Sequence, residues 1–251
     1  MADTPTRLKA LNGFLAKSDG RDKLTATIQY ACMFLSAGEP GNIKKVQTSV
    51  AAARKVFRIL RPLENLVPVL TNPKLSPNKP VAVEVLIKLK SILMAIYFGA
   101  DHVVWASQAG IYTDKESIDR WQKVSLWTWF GGSVCGILTE LNDVAALTAV
   151  PKEGETQEEW CARQMKTQGE VNTKLLTIFH GLTQAALAVG LLGLRPWSPR
   201  TVGAIGTLAS AINCYMLFPA LPSSKAAAPT HKPQSRYASP ALLFKPELKL
   251  A

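Results

Sequence analysis

The segment IKKVQTSVAAARKVFRILR, residues 43–61, carries the clearest helical periodicity in the chain. Apolar side chains recur at alternating steps of three and four, which places them along one face of a helix. That face consists of Ile43, Val46, Val50, Ala53, Phe57 and Leu60. The cations lie mostly off it, and they are Lys44, Lys45, Arg54, Lys55, Arg58 and Arg61. This combination of an apolar face and a basic face is typical of helices that lie in the interface of an anionic phospholipid membrane.

The alternative for this segment is a helix that packs its apolar stripe on the protein's own core and leaves a solvated basic back. Residues 43–61 contain no Asp or Glu, whereas a soluble surface usually mixes both signs of charge. The whole chain is also both basic and apolar, with a formal net charge of +11 and 47% hydrophobic residues. A partner that is anionic and apolar, namely a membrane surface, fits this combination. We expect no nucleic-acid partner, because no zinc-finger spacing or aromatic RNA-binding signature is present.

Upstream of this segment, the polar block SDGRDK, residues 18–23, separates two stretches that read as helices over 7–16 and 20–36. We expect Ser18 or Asp19 to cap the second helix. Asp22 stands where a capping box usually has Glu, and the two aspartates suit the positive end of the helix. The block therefore predicts a sharp helix start.

Downstream, five prolines predict a hinge or loop over 62–80. Two uncharged runs near the end, 175–194 and 201–221, have about the twenty residues that a bilayer helix needs. No convincing strand pattern occurs, so the expected fold is all-α, a membrane-associated protein with N-terminal amphipathic helices and C-terminal transmembrane helices. The predicted regions are a cytosolic helical region (1–80), central apolar helices that are candidates for membrane insertion (81–150), a soluble connector (151–174), a helical membrane hairpin (175–221) and a flexible basic tail (222–251).

Small residues recur four apart in several apolar runs, a spacing that allows close contact between membrane helices. The pairs are Gly132 and Gly136, Ala186 and Gly190, and Gly206 and Ser210. The alternative is the ordinary abundance of Gly and Ala in an apolar sequence. The four cysteines form no CxxC pair, so no disulfide framework is expected.

Catalytic motifs are absent from the sequence. No phosphate-binding loop, nucleophile elbow or paired-histidine spacing occurs, so we expect no enzyme activity, no cofactor and no metal. Asp101 and His102 lie together inside an apolar run, which suggests a proton relay or pore. The alternative is a helix whose Asp101 faces a loop, an interface or a partner helix.

Several of these pieces resemble one known family. Leu11, Phe14 and Leu15, followed by SDGRDKL and IQY, resemble the N-terminal signature of the peroxin-eleven family. The segments ARKVFRILRPLENL, LMAIYFGADHVVWASQAGIY, WQKVSLWTWF and GAIGTLASAINCYMLFP are similar to later family segments and follow in the family's order. The residues that carry the signature are Leu11, Phe14, Leu15, Asp19, Gly20, Arg21, Asp22, Lys23, Gln29 and Tyr30.

The resemblance implies an integral, multi-pass protein of the peroxisomal membrane that remodels and elongates that membrane. It implies promotion of peroxisome fission and proliferation, with control of organelle size and number. It also implies an N-terminal region on the cytosolic side, homo-oligomers, membrane tubulation by residues 43–61, a final span near 201–221 and recruitment of the fission machinery. A tail of about thirty residues after the last span departs from the family's usual pattern.

Two other classes of function stay open at this stage. The apolar helices, Asp101 and the positive net charge also fit a pore for anionic metabolites in the same membrane. A peripheral scaffold without a true span is a third class. Positive charge lies in the N-terminal region, in the 195–200 turn and in the tail, so charge bias sets neither the number nor the orientation of the spans.

Overall fold

The computed structural model of the chain describes residues 3–76, 79–148 and 154–221. This part is helical and contains no strand, which confirms the predicted all-α class. Its helices are α1 (Thr4–Leu15), α2 (Ser18–Ser36), α3 (Asn42–Val56), α4 (Arg61–Thr71), α5 (Val81–Gln108), α6 (Lys115–Thr148), α7 (Gln157–Leu191) and α8 (Pro199–Leu217). The predicted tail, 222–251, lies outside the described residues, and the division into regions stays a prediction.

The helices close into a ring. Helix α5 packs on α6, α6 on α7 and α7 on α8, so these four helices follow one another in space as in sequence. Helix α8 then packs on α2, α2 on α3, and α3 touches α5, while α4 lies against α5. The N-terminal helices are thus part of the same bundle as the predicted membrane helices.

The tightest joint in this ring lies between α2 and α8. A methyl group built on Gly203 would lie 2.4 Å from the Phe34 backbone nitrogen, and one on Gly206 would lie 2.4 Å from the Tyr30 ring. Only glycine lets the two helices approach so closely. Tyr30 then packs with Leu187 of α7 to form the small apolar core of the bundle.

Two predicted boundaries around the basic segment are wrong. The helix predicted over 43–61 ends at Val56, where a short turn leads into α4. The predicted loop over 62–80 begins instead with helix α4 (Arg61–Thr71). Pro62 stands in the first turn of α4, where a missing N–H costs no hydrogen bond, so this proline starts a helix instead of preventing one.

In the C-terminal third, residues 157–174 of the predicted connector and most of the first predicted span form one continuous helix, α7 (Gln157–Leu191). A capping box between Thr156 and Glu159 starts it. Helix α7 is the one candidate in the described residues that is long and apolar enough to cross a membrane, judged by length and composition. The second predicted span, 201–221, corresponds to α8, which does not meet that criterion.

Candidate functional site

A buried carboxylate on α2 organises the interior of the ring. Asp22 is 3% exposed, and its Oδ1 accepts hydrogen bonds from Arg54 Nε at 3.1 Å and from Arg58 Nε at 2.9 Å. Lys23 Nζ lies 3.2 Å from the other carboxylate oxygen, Oδ2. One carboxylate therefore faces three cations, two of them from the basic segment.

A second carboxylate, Asp101 on α5, extends the cluster. Lys55 Nζ donates to Asp101 Oδ1 at 2.5 Å, and Arg58 Nη1 donates to Asp101 Oδ2 at 3.4 Å. The same Arg58 Nη1 reaches the Tyr97 hydroxyl at 3.0 Å. Arg58 thus connects α2 to α5 through the turn between α3 and α4. We call Asp22, Arg54, Lys55, Arg58, Tyr97 and Asp101 the ion-pair cluster.

The electrostatics of Asp22 favour its charged form. Burial by itself would raise the pKa of this carboxyl, but attraction to Arg58, Lys23 and Arg54 outweighs the burial and holds the pKa well below its usual range. The buried negative charge of Asp22 is therefore compensated by the cations around it in the folded protein.

The rest of the SDGRDK block also reaches the basic segment. Asp19 forms an ion pair with Arg61, and Ser18 Oγ donates to the Phe57 carbonyl at 2.7 Å. The guanidinium of Arg21 lies over the Phe57 ring, 5.8 Å from its centroid. The predicted capping role is wrong, because Lys17 is the N-cap of α2 and no side chain caps that end. The block instead docks α2 onto the end of α3.

Other residues of the predicted signature connect α2 to α3 and to α1, and α1 to the end of α8. Gln29 Oε1 accepts from Arg54 Nη1 at 2.6 Å, and Tyr30 lies under the same guanidinium. Phe14 is buried and packs its ring 5.6 Å from that of Phe218. A methyl group on Gly20 would lie 2.0 Å from the Phe14 carbonyl oxygen. Leu11 is exposed and Leu15 is half-buried.

The apolar stripe predicted for residues 43–61 points mostly away from the bundle. Val46 is 48% exposed and Leu60 is 67% exposed, while Ile43 and Ala53 are also exposed. Val50 and Phe57 are half-buried. The stripe therefore neither packs on the protein's own core nor lies on the same side as the ion-pair cluster.

The structure places the predicted membrane-binding cations differently from the expectation. Arg54 and Arg58 are 7% and 8% exposed and bind carboxylates in the interior. Lys55 and Arg61 are partly buried in ion pairs, Lys44 is half-buried, and Lys45 is exposed. Local periodicity could not show this arrangement, because the carboxylates that draw the arginines inward lie on α2 and α5.

Asp101 and His102 do not act together in this arrangement. Asp101 faces the partner helix through Lys55 and Arg58, as the alternative interpretation proposed. His102 Nε2 is buried without a hydrogen-bond partner among the described residues. The described residues also bring together no group of three His, Cys, Asp or Glu side chains that could hold a metal.

Beside the cluster, the ring surrounds a cavity of about 470 Å³ that both charged and apolar side chains line. Its lining includes residues that sequence reasoning missed, among them Lys90 on α5 with His180 and Gln184 on α7. Lys90 stands close to Lys88 at the start of a long apolar segment, and a cation that borders such a run was the available signal. Gln108 and Gln122 line the cavity and are exposed, so the cavity reaches the surface near the end of α5 and the start of α6.

Comparisons with known proteins agree with the resemblance. The family model of Peroxisomal biogenesis factor 11 matches residues 8–218. Peroxisomal membrane protein 11D of Arabidopsis thaliana is 34% identical over 84% of this chain and 92% of its own length, and peroxisomal membrane protein 11-1 of Oryza sativa subsp. japonica is 33% identical over 82% and 89%. A homologue from Dictyostelium discoideum is 23% identical over 84% and 94%. No solved structure matches the chain. The chain therefore belongs to the Peroxisomal biogenesis factor 11 family and is a peroxisomal membrane protein of that type.

Proposed function

We propose that this protein remodels and elongates the peroxisomal membrane by inserting the outward apolar face of α3 and the following turn into one leaflet. Apolar insertion into a single leaflet expands that leaflet and favours curvature. The proposed role is non-enzymatic. Peroxisome fission and proliferation, assembly with further copies of the chain, and recruitment of the fission machinery belong to the same proposal.

The observation that carries the proposal is the orientation of the amphipathic segment. Arg54 and Arg58 are bound to carboxylates in the interior, and the apolar side of α3, about a quarter turn away, is exposed at Ile43, Val46 and Ala53. Leu60 and Leu63 continue this exposed surface from the turn into α4. A row of large apolar side chains in water is unfavourable, and an acyl boundary covers it at lower free energy. Lys45 is exposed on the same helix and can face an anionic headgroup.

The test uses the full chain, because an isolated peptide would lack Asp22 and Asp101 and would expose the arginines. Purified protein is reconstituted into anionic vesicles, and their shape is recorded by electron microscopy. We expect tubules with the native chain and spherical vesicles with the double variant Val46→Asp/Leu60→Asp, which places charge in the apolar surface.

The single variant Val46→Asp has a matched control in Thr48→Asp, which adds the same charge at an exposed polar position about 160° away around α3. Thr48→Asp should tubulate vesicles like the native chain. Phe57→Glu is a weaker test, because Phe57 is half-buried and packs against Arg21. Native protein that inserts well but leaves the vesicles spherical would contradict the proposal.

A second candidate function is a channel for anionic metabolites, which the cavity and its six lining cations support. Purified protein in planar bilayers should then give discrete conductance that Asp101→Asn alters. Silent bilayers at verified incorporation would count against the channel and would leave the remodelling proposal unaffected.

A further inference from the structure

One cation in the cavity has no carboxylate. Lys90 projects from α5 against α6, where a methyl group on Gly136 would lie 3.1 Å from its Nζ. The described residues include no ion-pair or hydrogen-bond partner for this ammonium group. The absence of a side chain on Gly136 leaves room for Lys90 beside the cavity.

Two further nitrogen-bearing groups share this part of the cavity. His180 of α7 lines it, and the adjacent Gly181 packs against Ile137 of α6, the neighbour of Gly136. Gln184 Nε2 lies 2.9 Å from His180 Nε2, so an amide stands one turn away on the same face of α7. Lys23 has one carboxylate neighbour, Asp22, which it shares with Arg54 and Arg58.

The charges that line the whole cavity do not balance. Six Lys and Arg side chains face three carboxylates among its described lining residues. The carboxylates belong to Asp19, Asp22 and Asp101, and each of them is already bound to a cation. Part of the excess lies around Asp22, which has three cationic neighbours. The one lining cation without an ion pair among the described residues is Lys90, which lies roughly 16 Å along α5 from Asp101.

We propose that the cavity binds a phosphate-bearing anion, with Lys90, Lys23 and His180 as the groups that contact the phosphate. An ammonium group that is partly withdrawn from water without a counter-charge is costly, and a bound anion removes that cost. A phosphate monoester carries nearly two negative charges and three acceptor oxygens, which suits several separate donors better than one carboxylate does.

The size of the cavity limits the ligand. A volume of about 470 Å³ lies within the range of small-molecule sites, roughly 300–1,000 Å³. It holds a phospholipid headgroup or a small phosphorylated metabolite. Both present the same phosphate chemistry to Lys90, and the opening near Gln108 and Gln122 gives access. This binding site stands independently of membrane remodelling, since vesicle shape does not report on it.

The experiment measures thermal unfolding of the full chain in a neutral detergent by tryptophan fluorescence. Inorganic phosphate is titrated at constant ionic strength, with chloride as the balancing anion. We expect a saturable rise in the melting temperature. Lys90→Gln should weaken the apparent affinity about tenfold or more, because it removes a charged donor. Lys123→Gln, which removes an exposed lysine from α6 outside the cavity, should bind like the native chain.

A second probe separates the two sources of phosphate. Dihexanoyl phosphatidic acid is compared with dihexanoylglycerol, which has the same chains and no phosphate. Stabilisation by inorganic phosphate and by the phosphatidic acid, both dependent on Lys90, indicates a site open to free phosphate. Stabilisation by the phosphatidic acid alone indicates a lipid headgroup.

The stability of the ligand-free protein should also respond to the loss of Lys90. Lys90→Gln should melt at or above the native temperature without ligand, because it removes an uncompensated charge. Should that variant fail to fold, His180→Asn supplies the binding test and should weaken phosphate binding. No stabilisation by either probe, or equal stabilisation of native chain and Lys90→Gln, overturns the proposal.

Discussion

Arg58 Nε donates to Asp22 Oδ1 at 2.9 Å, across 36 residues of sequence. This bond joins the turn after α3 to α2, and the same guanidinium reaches Asp101 and Tyr97 on α5. The pair therefore sets the rotation of the amphipathic segment about its own axis. Its arginines face the interior and its apolar stripe faces out, which is the orientation that the proposed membrane insertion needs.

Replacing Asp22 should destabilise the whole bundle. Asp22→Asn leaves Arg54 and Arg58 buried without their shared counter-charge, and breaking a buried pair in this way typically costs about 3–5 kcal/mol. The melting temperature of the detergent-solubilised protein measures the loss. Asp19→Asn is the matched control, since Asp19 lies at the edge of the block and should lose only about 1 kcal/mol or less. Equal losses in the two variants would contradict a central role for Asp22.

Stability should fall in acid because of the same carboxyl. The folded protein holds the pKa of Asp22 below its usual range, so folding favours the ionised form. The resulting stabilisation is present above the unfolded pKa, about 3.9, and is lost as the pH falls toward the folded pKa. Thermal melts from pH 5 to pH 2 measure how steeply the melting temperature falls across this window. In Asp22→Asn the melting temperature should fall less steeply with pH. An unchanged fall would show that other carboxyls dominate the loss of stability in acid.

The contact between α2 and α8 should tolerate no side chain at Gly203. A methyl group there meets the Phe34 backbone, which cannot move aside as a flexible side chain can. We expect Gly203→Ala to lower the free energy of unfolding by about 1–3 kcal/mol. Gly169→Ala is the control, because nothing lies within 4 Å of the new methyl group. That variant should gain about 0.5–1 kcal/mol from helix propensity, so the two changes should have opposite signs in chemical denaturation.

A second buried ion pair joins α6 to α7. Lys174 is buried, and its Nζ lies 2.5 Å from Asp143 Oδ2 and 3.2 Å from Glu140 Oε2. Lys174→Met should cost about 2–3 kcal/mol, because it leaves two carboxylates close together beside an apolar group. Limited proteolysis should then cleave between α6 and α7 sooner than in the native chain. Lys166→Met, at a position with no such ion pair, should cleave at the native rate.

Local pattern predicted much of the secondary structure. Helices over 7–16 and 20–36 correspond to α1 and α2, and the period of the apolar residues correctly placed a helix from residue 43. Boundaries failed where proline was taken as a breaker, since Pro62 begins α4. Helix α7 runs across residue 174, because a change from polar to apolar composition does not interrupt backbone hydrogen bonds within a helix. The predicted division into regions at that residue stays a prediction.

The sequence by itself determined an all-helical chain, an amphipathic segment with one apolar and one basic side, and a motif order that marks the family. It could not determine which side of that segment faces out. The deciding carboxylates, Asp22 and Asp101, lie on other helices, and neither the period of α3 nor the charge count identifies them as partners of Arg58. Only the tertiary structure brings them together, because desolvated arginines must lie beside counter-charges, and the closed ring of helices supplies those in its interior.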